Sequence, residues 1–310
     1  MKLALIGLGK MGGNMVRRLC RGGISVVGFD RDTEIIKILE KENGMISASS
    51  VNDVVTKLEF PRIIWLMLPS GDVTEHQIRA LAPILSRGDI IVDGGNSNYH
   101  DSQRRGAWLA EQGLGFMDAG TSGGIWGLEN GYCLMVGASK AVVDTVRPIL
   151  QVLAPSEEQG WLHVGPVGAG HFTKMIHNGI EYGMMQSLAE GLELLHGKQE
   201  FSFDLAKITE LWRHGSVVRS WLLDLTAEAL KTEQTLENIA PFVPDSGEGR
   251  WTVIEAVDQG VAVPVLTLAL QMRFNSQNET GYGYRLLSTM RNAFGGHTVK
   301  LSGTQKNENH

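Results

Sequence analysis

The sequence predicts an α/β chain in which an N-terminal doubly wound sheet is followed by an all-α C-terminal domain. Short apolar runs recur through the first half, each ending in glycine or aspartate and separated by helical segments. That is the pattern of strands covered on both faces in repeated strand–helix–strand units. From about Gly168 onward strand signals fade and long helical segments take over. The length, 310 residues, fits about two domains.

Taken in order, residues 3–6 form a first strand ending at Gly7, and residues 14–19 a helical segment stopped by Gly22 and Gly23. Residues 25–29 form a second strand closing on Asp30. Residues 63–68 form a third, punctuated by Pro69-Ser70-Gly71, and residues 89–93 a fourth, stopped by Gly94-Gly95. Weaker strand signals lie at 115–118 and 132–136, and helices are expected over 170–196, 204–214 and 217–231. Glycine and proline cluster between His163 and Gly168. The division expected is therefore 1–165 for the sheet domain, 166–300 for the helical domain and 301–310 for a frayed polar tail.

Composition narrows the function classes. With 28 basic and 34 acidic residues the formal charge is −6, so nothing global favours nucleic acid or an anionic membrane. At 43% hydrophobic residues the chain can build a core and is not disordered in bulk. No stretch reaches the ~18 apolar residues of a membrane span, and the apolar start is too short for a signal peptide. Cys20 and Cys133 match no metal spacing and suit a reducing cytoplasm. The 38 glycines, about 12% where ~7% is usual, follow no collagen or linker period. Many fall at four places where backbone is expected to meet a ligand: 7–13, 94–95, 120–124 and 168–183.

Gly7-Leu8-Gly9-Lys10-Met11-Gly12 fits G-x-G-x-x-G between a strand and a helix, the context that gives this pattern its force. The first glycine permits the tight turn, the second lets backbone approach a pyrophosphate, and the third lets helix pack on strand. The N-terminal domain is thus expected to be of the Rossmann type, with phosphates at a helix N-terminus. Asp30 ends the second strand, where a carboxylate would accept from ribose hydroxyls and repel a 2′-phosphate. That favours NAD; Arg31, which could pair with such a phosphate, leaves NADP open.

The chemistry concentrates in Gly170-His171-Phe172-Thr173-Lys174-Met175-Ile176-His177-Asn178-Gly179-Ile180-Glu181-Tyr182-Gly183. On a helix Lys174, His177, Asn178 and Glu181 are i, i+3, i+4 and i+7 and share one face. A surface Lys–Glu pairing would need neither the histidine and asparagine between them nor Gly170, Gly179 and Gly183, each costing about 1 kcal/mol against alanine; the three suggest close approach by a ligand or another backbone. A lysine desolvated beside a cofactor can serve as a base near neutrality. No His/Cys/carboxylate cluster has metal-ligand spacing, and no metal is expected.

The same segment resembles the signature of the decarboxylating 6-phosphogluconate dehydrogenases. So does Gly88-Asp89-Ile90-Ile91-Val92-Asp93-Gly94-Gly95-Asn96-Ser97, followed by Asp101 and Arg104-Arg105. Gly120-Thr121-Ser122-Gly123-Gly124 resembles the substrate turn of the wider β-hydroxyacid dehydrogenase superfamily, and Arg291-Asn292-Ala293-Phe294-Gly295-Gly296-His297 the family's phosphate-binding tail. The resemblance covers nearly the whole chain. It implies oxidative decarboxylation of 6-phosphogluconate to ribulose 5-phosphate and CO₂, in the pentose phosphate pathway, with reduction of NAD or NADP. Lys174 would then be base and later acid at the C3 oxygen, and Glu181 would protonate C1 of the enediol. Ser122, Gly123, Gly124, His177 and Asn178 would hold carboxylate and hydroxyls. Asn96 would sit between nicotinamide and substrate. Tyr182, Arg273, Arg291 and His297 would surround the phosphate, Arg273 aligning by its distance after Gly249-Arg250-Trp251-Thr252. The cofactor would meet Gly7, Leu8, Gly9, Lys10, Met11, Gly12, Asp30, Arg31, Leu68 and Asn96.

The family's better-known members are longer, with a duplicated helical region, so this chain resembles a short form. Asp30-Arg31-Asp32 stands where their strand usually ends in an Asn-Arg-Thr-like sequence, and Pro69 where a lysine is common; both departures support NAD. Ser246 replaces a phosphate-binding lysine. In the family the tail enters a neighbouring subunit's site, which implies a homodimer or homotetramer. The competing readings are a non-decarboxylating β-hydroxyacid dehydrogenase of the 3-hydroxyisobutyrate type and an inactive dinucleotide-binding scaffold. Arg291, His297 and Glu181 speak against the first, and the joint retention of Lys174 and Glu181 against the second.

Overall fold

In the computed structural model, described over residues 1–295 and 298–300, the apolar runs of the first half join one eight-stranded sheet. In chain order its strands and helices are β1 (Lys2–Ile6), α1 (Lys10–Arg21), β2 (Ser25–Phe29), α2 (Thr33–Asn43), β3 (Ile46–Ser47), α3 (Val51–Thr56), β4 (Ile63–Leu66), α4 (Asp72–Leu81), β5 (Ile90–Asp93), α5 (Tyr99–Glu111), β6 (Gly115–Ser122), α6 (Gly127–Asn130), β7 (Cys133–Ala138), α7 (Lys140–Leu153) and β8 (Trp161–Gly165). The spatial order is β3-β2-β1-β4-β5-β6-β7-β8, with every pair parallel except β6–β7. The order reverses at β1/β4, the doubly wound arrangement that opens a crevice at the carboxyl ends of the strands.

Period-2 alternation builds two cores from each central strand. In β1, Leu3 and Leu5 face one helical layer with Val26, Trp65 and Val92, while Ala4 and Ile6 face the other with Val27, Ile64, Leu66 and Ile91. All are buried, which is why these strands read as unbroken apolar runs.

The remaining helices are α8 (Ala169–Gly197), α9 (Leu205–Arg213), α10 (Trp221–Thr232), α11 (Glu248–Gln259), α12 (Pro264–Ser276) and α13 (Tyr282–Gly295). The expected α/β architecture, a Rossmann-type sheet followed by helices, is therefore observed. The expected strand at 63–68 stops at Leu66, and those at 115–118 and 132–136 run on to Ser122 and Ala138. β3 and β8 were not expected. β3 has two residues, and β8 is an edge strand with Leu162 and His163 exposed, so neither carries a buried apolar run. β8 lies in the stretch where glycine and proline suggested a boundary.

By contact the chain forms two compact units: Met1–Met185 with Gly247–Leu266, and Gln186–Ser246 with the described residues from Thr267 on. The first half of α8 belongs with the sheet because of three glycines. A Cβ on Gly170 would lie 2.5 Å from Asp118 O and from Met135 O, one on Gly120 2.3 Å from Lys174 Cβ, and one on Gly137 2.8 Å from Gly170 N. In the second unit α9 and α10 pair around buried Leu205, Thr209, Leu223, Ala227 and Leu230. Across this pair Arg213 donates to Asp224 and Glu228, and within α9 to Glu210. Among the described residues no helix is long and apolar enough to cross a membrane.

Gly170→Ala should destabilise the protein by about 1–3 kcal/mol through overpacking. Gly191→Ala, where a Cβ meets nothing within 4 Å, should be neutral or stabilising by up to about 1 kcal/mol. Urea unfolding of both variants checks the contrast.

Candidate active site

The β1–α1 turn has the geometry its glycines suggest. Gly7 has φ +93°, and a Cβ there would lie 2.3 Å from Met67 O. On Gly12 a Cβ would lie 1.9 Å from Gly7 O, whereas on Gly9 it would meet nothing within 4 Å. So Gly7 and Gly12 are required by the protein's own packing, and Gly9, the N-cap of α1, presents bare backbone to open space. Next to it lies a cavity of about 490 Å³, lined by Leu8, Gly9, Lys10, Asn14, Arg17, Asp30, Asp32, Ile35 and Ile125. An exposed helix N-terminus beside a cavity suits a pyrophosphate. Asp30 accepts from Leu8 N–H with Oδ2 and from Asp32 N–H at 2.9 Å with Oδ1. Each oxygen keeps a further lone pair, so the carboxylate can shape the loop and still receive ribose hydroxyls. Arg31 is exposed. Leu68 follows β4, with its side chain against Gly7 and its carbonyl against Gly95, at the mouth of the crevice.

The segment after β5 is held by a buried arginine. Arg105, 1% exposed, donates from Nη1 to Asp93 Oδ2 (3.1 Å) and Ser97 Oγ (3.3 Å), and from Nε to Glu75 Oε2 (2.9 Å). Ser97 Oγ also donates to Asp93 Oδ2 at 2.7 Å, and Gly95 N–H to Asp93 Oδ1 at 3.2 Å. Arg104 forks onto both oxygens of Glu75. The guanidinium of Arg104, ahead of that of Arg105, holds the Glu75 carboxyl down to about 2. Asn96, exposed at the tip, is carried by this frame, which accounts for the Asp93, Ser97 and double-arginine pattern.

The chemistry sits on α8. Asp118, buried in β6, accepts from Gly168 N–H and His171 N–H, each at 2.7 Å, and so satisfies donors at the helix start that would otherwise be orphaned. Burial pushes the Asp118 carboxyl above its ordinary range. His171, also buried, has Nδ1 2.7 Å from Ser102 Oγ of α5. One turn on, Lys174 is 7% exposed and donates from Nζ to Asn178 Oδ1 at 2.6 Å. The same Oδ1 lies 3.1 Å from His177 Nδ1; His177 Nε2 lies 3.5 Å from Ser122 Oγ, and Nδ1 3.8 Å from Glu181 Oε2. Lys174, His177, Asn178, Glu181 and Ser122 thus converge. Gly123 and Gly124 follow with φ +125° and +53°, conformations that side-chain-bearing residues rarely adopt. Desolvation lowers the Lys174 pKa from its ordinary value, while the nearby Glu181, Glu248 and Cys133 pull it back up.

The glycines of α8 meet protein, so of the two expected neighbours, a ligand or another backbone, it is the chain's own atoms that lie against them. A Cβ on Gly179 would lie 2.7 Å from Thr252 Cγ2, and one on Gly183 3.2 Å from Val265 Cγ1. Reciprocally, a Cβ on Gly249 would lie 2.5 Å from Tyr182 Cε2, and Thr252 Oγ1 donates to Met175 O at 2.9 Å. The Gly249-Arg250-Trp251-Thr252 stretch is a docking surface for α8, and Tyr182 is 6% exposed with its ring over Gly249. Arg273 and Arg291 belong to the second compact unit, where Arg273 Nη1 donates to Pro244 O at 2.9 Å and Arg291 is exposed on α13. His297 lies outside the described residues, as does the tail from 301 to 310.

Asp118, Glu248 and Cys133 were not singled out from sequence. Asp118 was only the end of a weak strand. Cys133 opens β7 directly opposite Ser122 in the antiparallel ladder, a register visible only in the fold. Among the described residues no group of three or more His, Cys, Asp or Glu could hold a metal ion.

The chain is similar to known proteins over nearly its whole length. The family described as the NAD binding domain of 6-phosphogluconate dehydrogenase matches residues 2–165, and that described as the 6-phosphogluconate dehydrogenase C-terminal domain matches 170–281. An NAD(+)-dependent, decarboxylating 6-phosphogluconate dehydrogenase of Haloferax volcanii is 39% identical over 300 residues, 96% of this chain and 98% of that protein. The decarboxylating enzyme of Haemophilus influenzae is 38% identical over 280 residues, 86% of this chain but 57% of its own. The chain therefore spans just over half of that longer relative. Among solved structures, Plasmodium falciparum 6-phosphogluconate dehydrogenase, studied with NADP+ and with 6-phosphogluconate, matches with a TM-score of 0.82 at 27% identity. The match covers 98% of this chain and 67% of that one.

Arg105→Ala should destabilise the protein by about 3–5 kcal/mol, because it strands the buried Asp93 carboxylate. Chemical denaturation is the readout; a loss below about 1 kcal/mol would contradict the role given to the network.

Proposed function

The chain belongs to the 6-phosphogluconate dehydrogenase family, and from that premise we propose how its residues carry out the NAD-linked oxidative decarboxylation of 6-phosphogluconate to ribulose 5-phosphate and CO₂. The observation that carries the reading is the convergence of a buried Lys174 with Asn178, His177, Glu181 and Ser122 on α8 and β6.

Bound at the glycine turn, NAD supplies the hydride acceptor for C3 of the sugar acid. Gly9 and the N-terminus of α1 bind its pyrophosphate, with Leu8, Lys10 and Met11 around that turn between Gly7 and Gly12. Asp30 receives the ribose hydroxyls, and Leu68 and Asn96 flank the nicotinamide end. Lys174, its ammonium disfavoured by burial, removes the C3 hydroxyl proton as the hydride leaves. The resulting ketone is β to the carboxylate. The Lys174 ammonium then gives its proton to the ketone oxygen, where charge gathers as the C1–C2 bond breaks and CO₂ departs, leaving the enediol. Glu181 protonates the carbon that lost CO₂, and Lys174 takes back the hydroxyl proton as the enediol becomes the ketose. Ser122, Gly123, Gly124, His177 and Asn178 hold the carboxylate and hydroxyls, and Tyr182, Arg273, Arg291 and His297 bind the phosphate.

The same proposal divides the chain into a cofactor domain (1–165), a substrate and dimerisation domain (166–300) and a polar tail (301–310). It makes the active protein a cytoplasmic homodimer or homotetramer, with Arg291 and His297 reaching a neighbouring copy. Large apolar side chains exposed on the second unit, among them Leu211, Val217, Leu268 and Leu287, would gain from burial against another copy. Two free cysteines suit a reducing compartment.

A two-cofactor assay tests the reading. With 6-phosphogluconate the protein should form NADH and CO₂ faster than NADPH, and Lys174→Ala should lower kcat by at least about 10²-fold. Asp30→Ala should move the kcat/KM ratio towards NADP. No turnover with either cofactor would end the reading, and an unchanged ratio would assign the discrimination elsewhere.

A further inference from the structure

We propose that Glu248 is a positioning residue for Lys174, a second carboxylate whose charge, set beside the lysine by the docking of α11 on α8, fixes the pH at which the base becomes competent. The inference rests on Lys174 being the base.

Three observations carry it. Glu248 is 2% exposed, so water screens its charge little. It opens α11, whose first turn is docked on the segment of α8 that follows Lys174. Thr252 Oγ1 donates both to Glu248 O and to Met175 O, each at 2.9 Å, and Gly249 lies under the Tyr182 ring. A carboxylate one turn before Thr252 therefore starts beside the backbone of residue 175, next to Lys174. Finally, Lys174 is itself only 7% exposed, so a carboxylate on the helix packed against its own is little screened from it.

The groups around Lys174 can be named from each packed element. α8 supplies Glu181, His177 and the Asn178 oxygen; α11 supplies Glu248; β7 supplies Cys133; β6 presents Gly120 and the neutral Ser122. Glu181 has a proton to deliver in the reaction and is about two-fifths exposed. Glu248 is the carboxylate free of that duty and shielded from water, so its charge is screened least. An acidic residue at a helix N-terminus also gains from the helix dipole. That role needs no burial and would leave the pH dependence of the enzyme alone, which separates the two accounts.

The test is the pH profile of kcat/KM for 6-phosphogluconate with NAD, on the full-length protein. Its acid limb reports the base of the free enzyme. Glu248→Gln removes a negative charge beside a cation, so the ammonium loses its proton more easily and the acid limb should move down by about half a pH unit or more. A limb that stays within about 0.2 unit or moves up, in a variant with wild-type circular dichroism, overturns the proposal. If Glu248→Gln does not fold, Glu248→Asp, which withdraws the carboxylate, is read the same way: a downward shift supports the proposal and an unmoved limb overturns it. Lys174→Ala in parallel separates the failures. An active Lys174→Ala enzyme that keeps the wild-type acid limb refutes the base itself; an inactive one beside an unmoved Glu248→Gln limb refutes only the positioning role.

Discussion

The site depends on one close contact, the seating of the N-terminus of α8 on the antiparallel β6–β7 pair. Asp118 lies at its centre, accepting the backbone donors of Gly168 and His171 and replacing water that could not reach them. Around it Gly120, Gly137 and Gly170 leave out three Cβ atoms that would hold helix and sheet apart. The helix arrives so near that the Lys174 stem crosses β6 at Gly120 and its head is nearly dry. A second seating, of α11 on α8 through Gly179, Gly249 and Thr252, closes the other side. Burial of the lysine follows from backbone approach, and the lowered pKa follows from burial.

The two halves of the reaction are built on different physics. On the cofactor side the ligand surface is backbone: Gly9 bare at a helix N-terminus, with Asp30 tying the loop to β2 while keeping acceptor capacity. On the substrate side it is side chains held rigidly, Lys174 and Asn178 by burial and by each other, Asn96 by the Asp93–Ser97–Arg105 frame beneath it. A rigid frame lets binding energy go into orienting the sugar acid rather than ordering the protein.

Much of this was legible in the sequence, for identifiable reasons. Glycine spacing at 7, 9 and 12 has one common physical use, and helical spacing brings Lys174, His177, Asn178 and Glu181 to one face without knowledge of the fold. Buried parallel strands announce themselves as apolar runs. What stayed hidden depends on register or on contacts distant in the chain. Asp118 resembles any aspartate at a strand end until its partners fifty residues later are known, and Cys133 joins the site only because it pairs with Ser122. The glycines of α8 were seen to need close neighbours, but those neighbours are Thr252, Val265 and the β6–β7 backbone. β3 and β8 were missed because a two-residue strand and an exposed edge strand bury no apolar run.

The central claim, that close seating of α8 desolvates Lys174 into a usable base, is tested most directly by titrating that amine. In protein carrying isotope-labelled lysine, the Lys174 signal is assigned by its absence from Lys174→Met and followed by NMR against pH. The account predicts a midpoint clearly below the ~10.4 of an ordinary lysine, rising towards that value in Gly120→Ala, where the helix must stand off. A wild-type midpoint at or above the ordinary value would contradict it.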